Sequence, residues 1–71
     1  MYPKLRGRII EKFGSYKAFA EAIGVSTTIV SLKLTGRVTF DAPTIEKWCN
    51  ALDIPISEAG LYFFDFELNA V

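Results

Sequence analysis

The tightest constraint in this sequence is the joint Gly24-Val25-Ser26 inside AFAEAIGVSTTIVSLKL, residues 18–34. Phe19, Ala20 and Ile23 precede it at helical spacing, and Val30 and Leu34 follow it at the same spacing. A glycine that can stop a helix and a serine that can cap the next one stand a single residue apart. Two helices joined so briefly have to cross sharply and pack on each other. Ala20, four residues before the glycine, removes bulk where the second helix comes close. Gly24 can adopt the positive φ of a sharp turn, and Val25 and Val30 plug the wedge between the helices. Over about residues 15–36 this is the spacing of a helix-turn-helix.

The flanking sequence supplies more helices of similar length. Pro3 suits a first helical turn, Leu5, Ile9, Ile10 and Phe13 recur at helical spacing, and Gly14 supplies the stop. Ser15 caps the second helix, which ends at Gly24. Ser26 caps the third, which runs to Thr35 before Gly36. Residues 37–41, RVTFD, read as a loop or extended connection too short to imply a sheet. Asp41 can cap a fourth helix with Pro43 in its first turn, and Ile45, Trp48, Cys49 and Leu52 form its core-facing stripe. Ser57 can cap a short fifth helix, after which LYFFDF brings Tyr62, Phe63, Phe64 and Phe66 together. These rings are expected either to lid the core or to meet a second copy. The expected fold is a single all-α domain over 1–71, a compact five-helix arrangement with no repeat or linker.

Seventy-one residues lie near the lower end of what folds without staples, so most apolar side chains have to share one core. The single Cys49 cannot make an internal disulfide, and with no His the chain cannot build a His-containing zinc site or a Ser-His-Asp or Cys-His arrangement. No enzyme activity, metal, cofactor or small-molecule ligand is expected, and Trp48 and Cys49 read as core. Neither a signal peptide nor a run of apolar residues long enough for a membrane span is visible, so the expectation is a cytoplasmic protein with no membrane partner. The formal charge is zero, yet it is divided. Residues 1–37 carry Lys4, Arg6, Arg8, Lys12, Lys17, Lys33 and Arg37 against Glu11 and Glu21, a net +5. Residues 38–71 carry Lys47 against six carboxylates, a net −5. Such a split suits a one-sided anion-binding surface with an acidic back.

Thr28, Ser31 and Thr35, spaced by three and four residues, lie on one side of the third helix, flanked by Thr27 and Leu32 and roughly opposite Val30 and Leu34. Such hydroxyls make a poor core. At the end of a turn motif, they suit a reading face.

With these residues in place, the chain resembles the Cro/repressor family of helix-turn-helix regulators, also called the xenobiotic-response-element family, from residue 4 to about 60. LRGRIIEKFG, AFAEAIGVS, VSLKLTGR, APTIEKWCNALDIP and ISEAGLYFF are similar to short phage and prophage proteins of that family. The resemblance implies a lambda-repressor-like five-helix DNA-binding domain and a role as a transcriptional regulator, repressor or Cro-like, in phage or prophage control. It implies that the third helix enters the major groove of duplex DNA, with Thr27, Thr28, Ser31, Leu32 and Thr35 toward base edges. Leu32 would lie against a thymine methyl.

Ser15, Tyr16, Lys17, Ser26, Lys33 and Arg37 would then contact phosphate, with the helix N-termini at Ser15 and Ser26 adding backbone N–H donors. Tyr16 stands where the family often has Gln; a phenol can donate to phosphate but cannot brace a neighbour as an amide does. Lys33 stands where many members have an inward apolar residue, so its stem would pack while its ammonium snorkels outward. Lys4, Arg6 and Arg8 read equally as solubilising charge or as DNA contacts. A homodimer on a two-fold operator, with half-sites about 34 Å apart, would double the contacts of a reading helix that lacks bidentate side chains. The alternative is a protein-interaction module such as an antirepressor, which keeps the fold and binds no DNA.

Overall fold

The computed structural model describes residues 1–64; Phe66 of the aromatic run, with Asp65 and Glu67 of the acidic half, lies outside them. The chain is all-α: α1 (Pro3–Phe13), α2 (Tyr16–Ile23), α3 (Thr27–Leu34), α4 (Ala42–Leu52), a 3₁₀ turn (Ile56–Glu58) and α5 (Ala59–Phe63), with no strand among the described residues.

Three of the five α-helices start on side-chain caps that the sequence announces. Ser15 accepts from the Ala18 N–H at 3.1 Å, Ser26 from the Ile29 N–H at 3.2 Å, and Asp41 from the Thr44 N–H at 3.0 Å. Gly24 closes α2 at φ 77°, its own N–H donating to the Glu21 carbonyl and the Val25 N–H to the Ala20 carbonyl. Gly36 closes α3 in the same way at φ 82°, with Gly36 N–H on Lys33 and Arg37 N–H on Leu32. Both are Schellman closures, in which a left-handed residue lets two N–H groups turn back onto the last open carbonyls. Asp53 performs the left-handed turn for α4 at φ 54°, and the Ile54 N–H reaches the Cys49 carbonyl at 2.9 Å.

The fifth helix starts differently from the expectation. Ser57 does not cap it; Ser57 lies within the 3₁₀ turn, and α5 begins after Glu58 with no side-chain cap. Pro55 fixes the entry, and the Glu58 N–H bonds to the Pro55 carbonyl at 2.8 Å, so a tighter backbone turn satisfies the donor that a cap would have taken.

The core is built round Trp48 of α4. Phe19 of α2 meets its ring at 4.8 Å between centroids and 82°, and Phe40 meets it at 4.9 Å and 83°. Phe63 of α5 packs on Phe40 at 5.0 Å and lies 6.4 Å from Trp48. These are edge-to-face contacts, each contributing about 0.5–1.5 kcal/mol beyond the area buried. Leu5 and Ile9 of α1, Ala20 and Ile23 of α2, Val30 and Leu34 of α3, and Leu52 and Ile54 complete the core. Ile10, which shares the apolar recurrence of α1, remains 47% exposed. Phe63 places the aromatic run in the core, with Tyr62 and Phe64 half-buried against it. Phe40, in the connection after α3, is a core ring that the loop reading of RVTFD does not anticipate. Cys49 is buried, which pushes its thiol up from the ordinary cysteine value.

Helix α1 is also tied to the ends of two other helices. Arg6 and Arg8 lie about 200° apart round α1 and therefore reach in opposite directions. Arg6 Nη2 donates to the Leu34 carbonyl at 2.8 Å, and Arg8 Nε to the Leu52 carbonyl at 2.8 Å. Each cation meets the negative end of a helix dipole. Lys12 pairs with Asp53 beside the second contact.

Replacing Phe19 by Ala removes the ring between Trp48 and Phe13 and should cost about 3–5 kcal/mol, of the order of the whole stability of so small a domain. Circular dichroism at 37 °C should therefore show a largely unfolded chain. The hydrogen bond and charge of Lys12 hold Asp53 below the ordinary aspartate value of 3.8, and hydrogen bonds from Thr44 do the same for Asp41. Folding thus favours both deprotonated forms. Their contribution is complete above the unfolded value and is lost as pH falls through the lower folded ones. The melting temperature should accordingly fall below about pH 4, and Asp53→Asn, which keeps a residue tolerant of left-handed backbone, should make that fall shallower.

Candidate nucleic-acid interface

The crossing of α2 and α3 leaves one side of α3 open. Val30 and Leu34 point inward and are fully buried, 0% and 1% exposed, so the opposite side is fixed by the helical period. Thr27, Thr28, Ser31 and Thr35 are all exposed, and Leu32 is half-buried beside them. Val25 and Val30 hold the positions of a hydrophobic staple round the Ser26 cap, Val25 packing on the core at the joint. The entry angle of α3 is therefore set by apolar contact as well as by the cap.

Three details refine the expected face. Thr35 is the capping residue after the last turn of α3, and its hydroxyl donates to the Leu32 carbonyl at 3.1 Å, leaving its oxygen free only to accept. Leu32 is held by the same closure, since its carbonyl also receives the Arg37 and Val38 N–H groups. Ile29, absent from the expected set, is 37% exposed one position after Thr28. Its place on the flank of α3, away from the Val30–Leu34 side, was the available signal.

The expected phosphate-contacting residues fall into two groups. Ser15 and Ser26 stand at the N-termini of α2 and α3, where open backbone N–H groups and the positive helix ends favour anions. Lys17 and Arg37 are exposed near the start of the motif and just beyond its end, and neither side chain enters a hydrogen bond or ion pair among the described residues. Tyr16 is half-buried, its ring packed on the core edge. Lys33 is drawn back into the protein. Its Nζ donates to the Thr39 carbonyl at 3.1 Å and sits 5.4 Å from the Phe40 ring, so the stem packs and the ammonium braces the α3–α4 connection.

The early cations divide likewise. Arg6 and Arg8 are engaged with carbonyls, Arg8 also with Glu11 at 2.9 Å, while Lys4 lies 5.6 Å from the Tyr62 ring. No local pattern signals the two carbonyl engagements, because their partners lie 28 and 44 positions away. The described residues hold no pocket and no group of three or more His, Cys, Asp or Glu able to bind a metal ion. No helix among them is long and apolar enough to cross a membrane.

The arrangement thus presents short hydroxyl and methyl groups on a rigid helix, bracketed by free cations and two capped helix N-termini. No curated protein matches the chain. A family model does, along residues 1–66, and the chain belongs to the family it describes, that of the protein of unknown function DUF739.

Proposed function

We propose that this protein binds duplex DNA through α2 and α3 and regulates transcription, as a homodimer in a phage or prophage setting. The observation that carries the reading is the exposed group Thr27, Thr28, Ser31 and Thr35, of which Thr28 and Thr35 point away from the buried Val30 and Leu34, flanked by the free cations Lys17 and Arg37. A groove-reading helix needs a rigid base, an outward face without long side chains in the way, and phosphate contacts at its borders that set register. The Schellman closures, the staple and the Ser26 cap supply the first, and the short residues of α3 the second. Lys17, Arg37 and the N-termini of α2 and α3 supply the third.

The chemistry of the face limits what it reads. Hydroxyls donate to or accept from either base type, and threonine methyls, Leu32 and Ile29 favour thymine methyls. No Arg, Asn or Gln projects from α3. One copy would therefore discriminate weakly, and a second copy on a two-fold site would double the contacts.

Selection of binding sites from random duplexes, followed by titration of the enriched site at several salt concentrations, tests this reading. An enriched two-fold site should emerge, with affinity falling steeply as salt rises because phosphate contacts release counterions. Ser31→Asp should abolish binding while leaving the melting temperature within a few degrees, since an exposed charge on α3 disturbs no core contact. Absence of both an enriched site and a salt slope would overturn the reading, and unchanged affinity of Ser31→Asp would overturn the assignment of α3.

A further inference from the structure

We propose that Arg6 is a positioning residue for the reading helix, a role that rests on the DNA-binding function above. Arg6 belongs to α1, outside the motif, yet its guanidinium forks between two main-chain carbonyls. Nε donates to Met1 O at 2.7 Å, and Nη2 donates to Leu34 O at 2.8 Å in a part-buried contact. Leu34 is the last residue of α3. The Schellman closure there engages the Lys33 and Leu32 carbonyls through the Gly36 and Arg37 N–H groups, and the Leu34 carbonyl stands outside those bonds. Arg6 is the donor that reaches it.

The geometry makes this more than a neutralised helix end. Both donors lie in one rigid plane, so the guanidinium holds the start of α1 and the end of α3 at a fixed relative orientation. A lysine ammonium carries the same charge but no such fork. Met1 adds to the clamp: its thioether occupies the space a Cβ on Gly36 would need, so the segment that Arg6 grips lies directly against the turn after α3.

Positioning matters unusually here because the reading side chains are short. Thr28, Ser31 and Thr35 have no length with which to compensate a tilt of α3. Arg37, the free cation expected to fix register on the phosphates, follows Leu34 by three residues and lies on the turn that Arg6 secures. Arg6 thus sets the angle between the face that reads bases and the residue that grips the backbone, without touching DNA itself.

The test compares wild type, Arg6→Lys, Arg6→Met and Arg37→Ala on the duplex selected above, recording affinity against salt, melting temperature and amide exchange. Both Arg6 variants should bind about tenfold more weakly, the loss of one charged hydrogen bond's worth of ordering, with the wild-type salt slope retained. The Arg37 and Val38 amides should exchange faster, while Phe19 stays protected. Arg37→Ala should instead lower the salt slope by about one.

If Arg6→Lys keeps wild-type affinity and Arg6→Met lowers the slope, Arg6 is a phosphate contact and the proposal is wrong. Unchanged affinity in both variants would also overturn it. Should Arg6→Met fail to fold, Arg6→Lys decides alone: weaker binding with faster exchange at Arg37 and Val38 supports the role, and wild-type exchange there refutes it. A wild-type protein that binds no duplex sinks the DNA reading, whereas a wild type that binds beside unaffected Arg6 variants sinks only the role of Arg6.

Discussion

The fold depends on Trp48 being met edge-on from different parts of the chain. Phe19 brings α2 to it, Phe40 brings the connection after α3, and Phe63 brings α5. A chain of this size has room for one such centre, and four of its helices find their places by contact with it or with its neighbours. The crossing of α2 and α3 is a consequence. Phe19 is committed to the indole, so α2 cannot rotate, and Ala20 on its next residue leaves the gap that α3 enters. The outward face of α3 is therefore determined from the inside.

What was legible in the sequence was what is local. Ser15, Ser26 and Asp41 cap because a side-chain oxygen and an N–H three residues on suffice, and Gly24 and Gly36 turn because a missing Cβ suffices. The exposure of Thr28 follows from the period once Val30 and Leu34 are known to face inward. Phe40 was not legible, because a loop residue enters a core only when Tyr2, Trp48 and Phe63 converge round it. Nor were the engagements of Arg6, Arg8 and Lys33 with carbonyls. A basic residue looks alike in sequence whether it is bound for solvent, a phosphate or a distant helix end. Ser57 fails for the opposite reason: a plausible cap was displaced by the backbone turn that Pro55 begins.

The charge division takes on a different meaning once these engagements are known. Among the cations of residues 1–37, Arg6, Arg8, Lys12 and Lys33 hold the fold's own carbonyls or Asp53. Their charge remains in the field of that half, but their side chains are held by the fold itself. Lys4, over the Tyr62 ring, and Lys17 and Arg37 are left with donors to offer outward, and the last two lie at the two borders of the motif. A sequence count of basic residues describes the long-range field, while the hydrogen-bond pattern identifies which of them can grip a partner.

The paired glycine closures have a further consequence, in the time domain. Each joins carbonyls and N–H groups only a few positions apart, so α2, the joint and α3 can assemble from contacts that close very short loops. Helical chains dominated by such near-neighbour contacts fold in microseconds to milliseconds. The α2–α3 corner can thus form before the more distant links from Arg6 and Arg8 are in place. Those links, which span much longer stretches of chain, then have a corner to fasten onto rather than one to create.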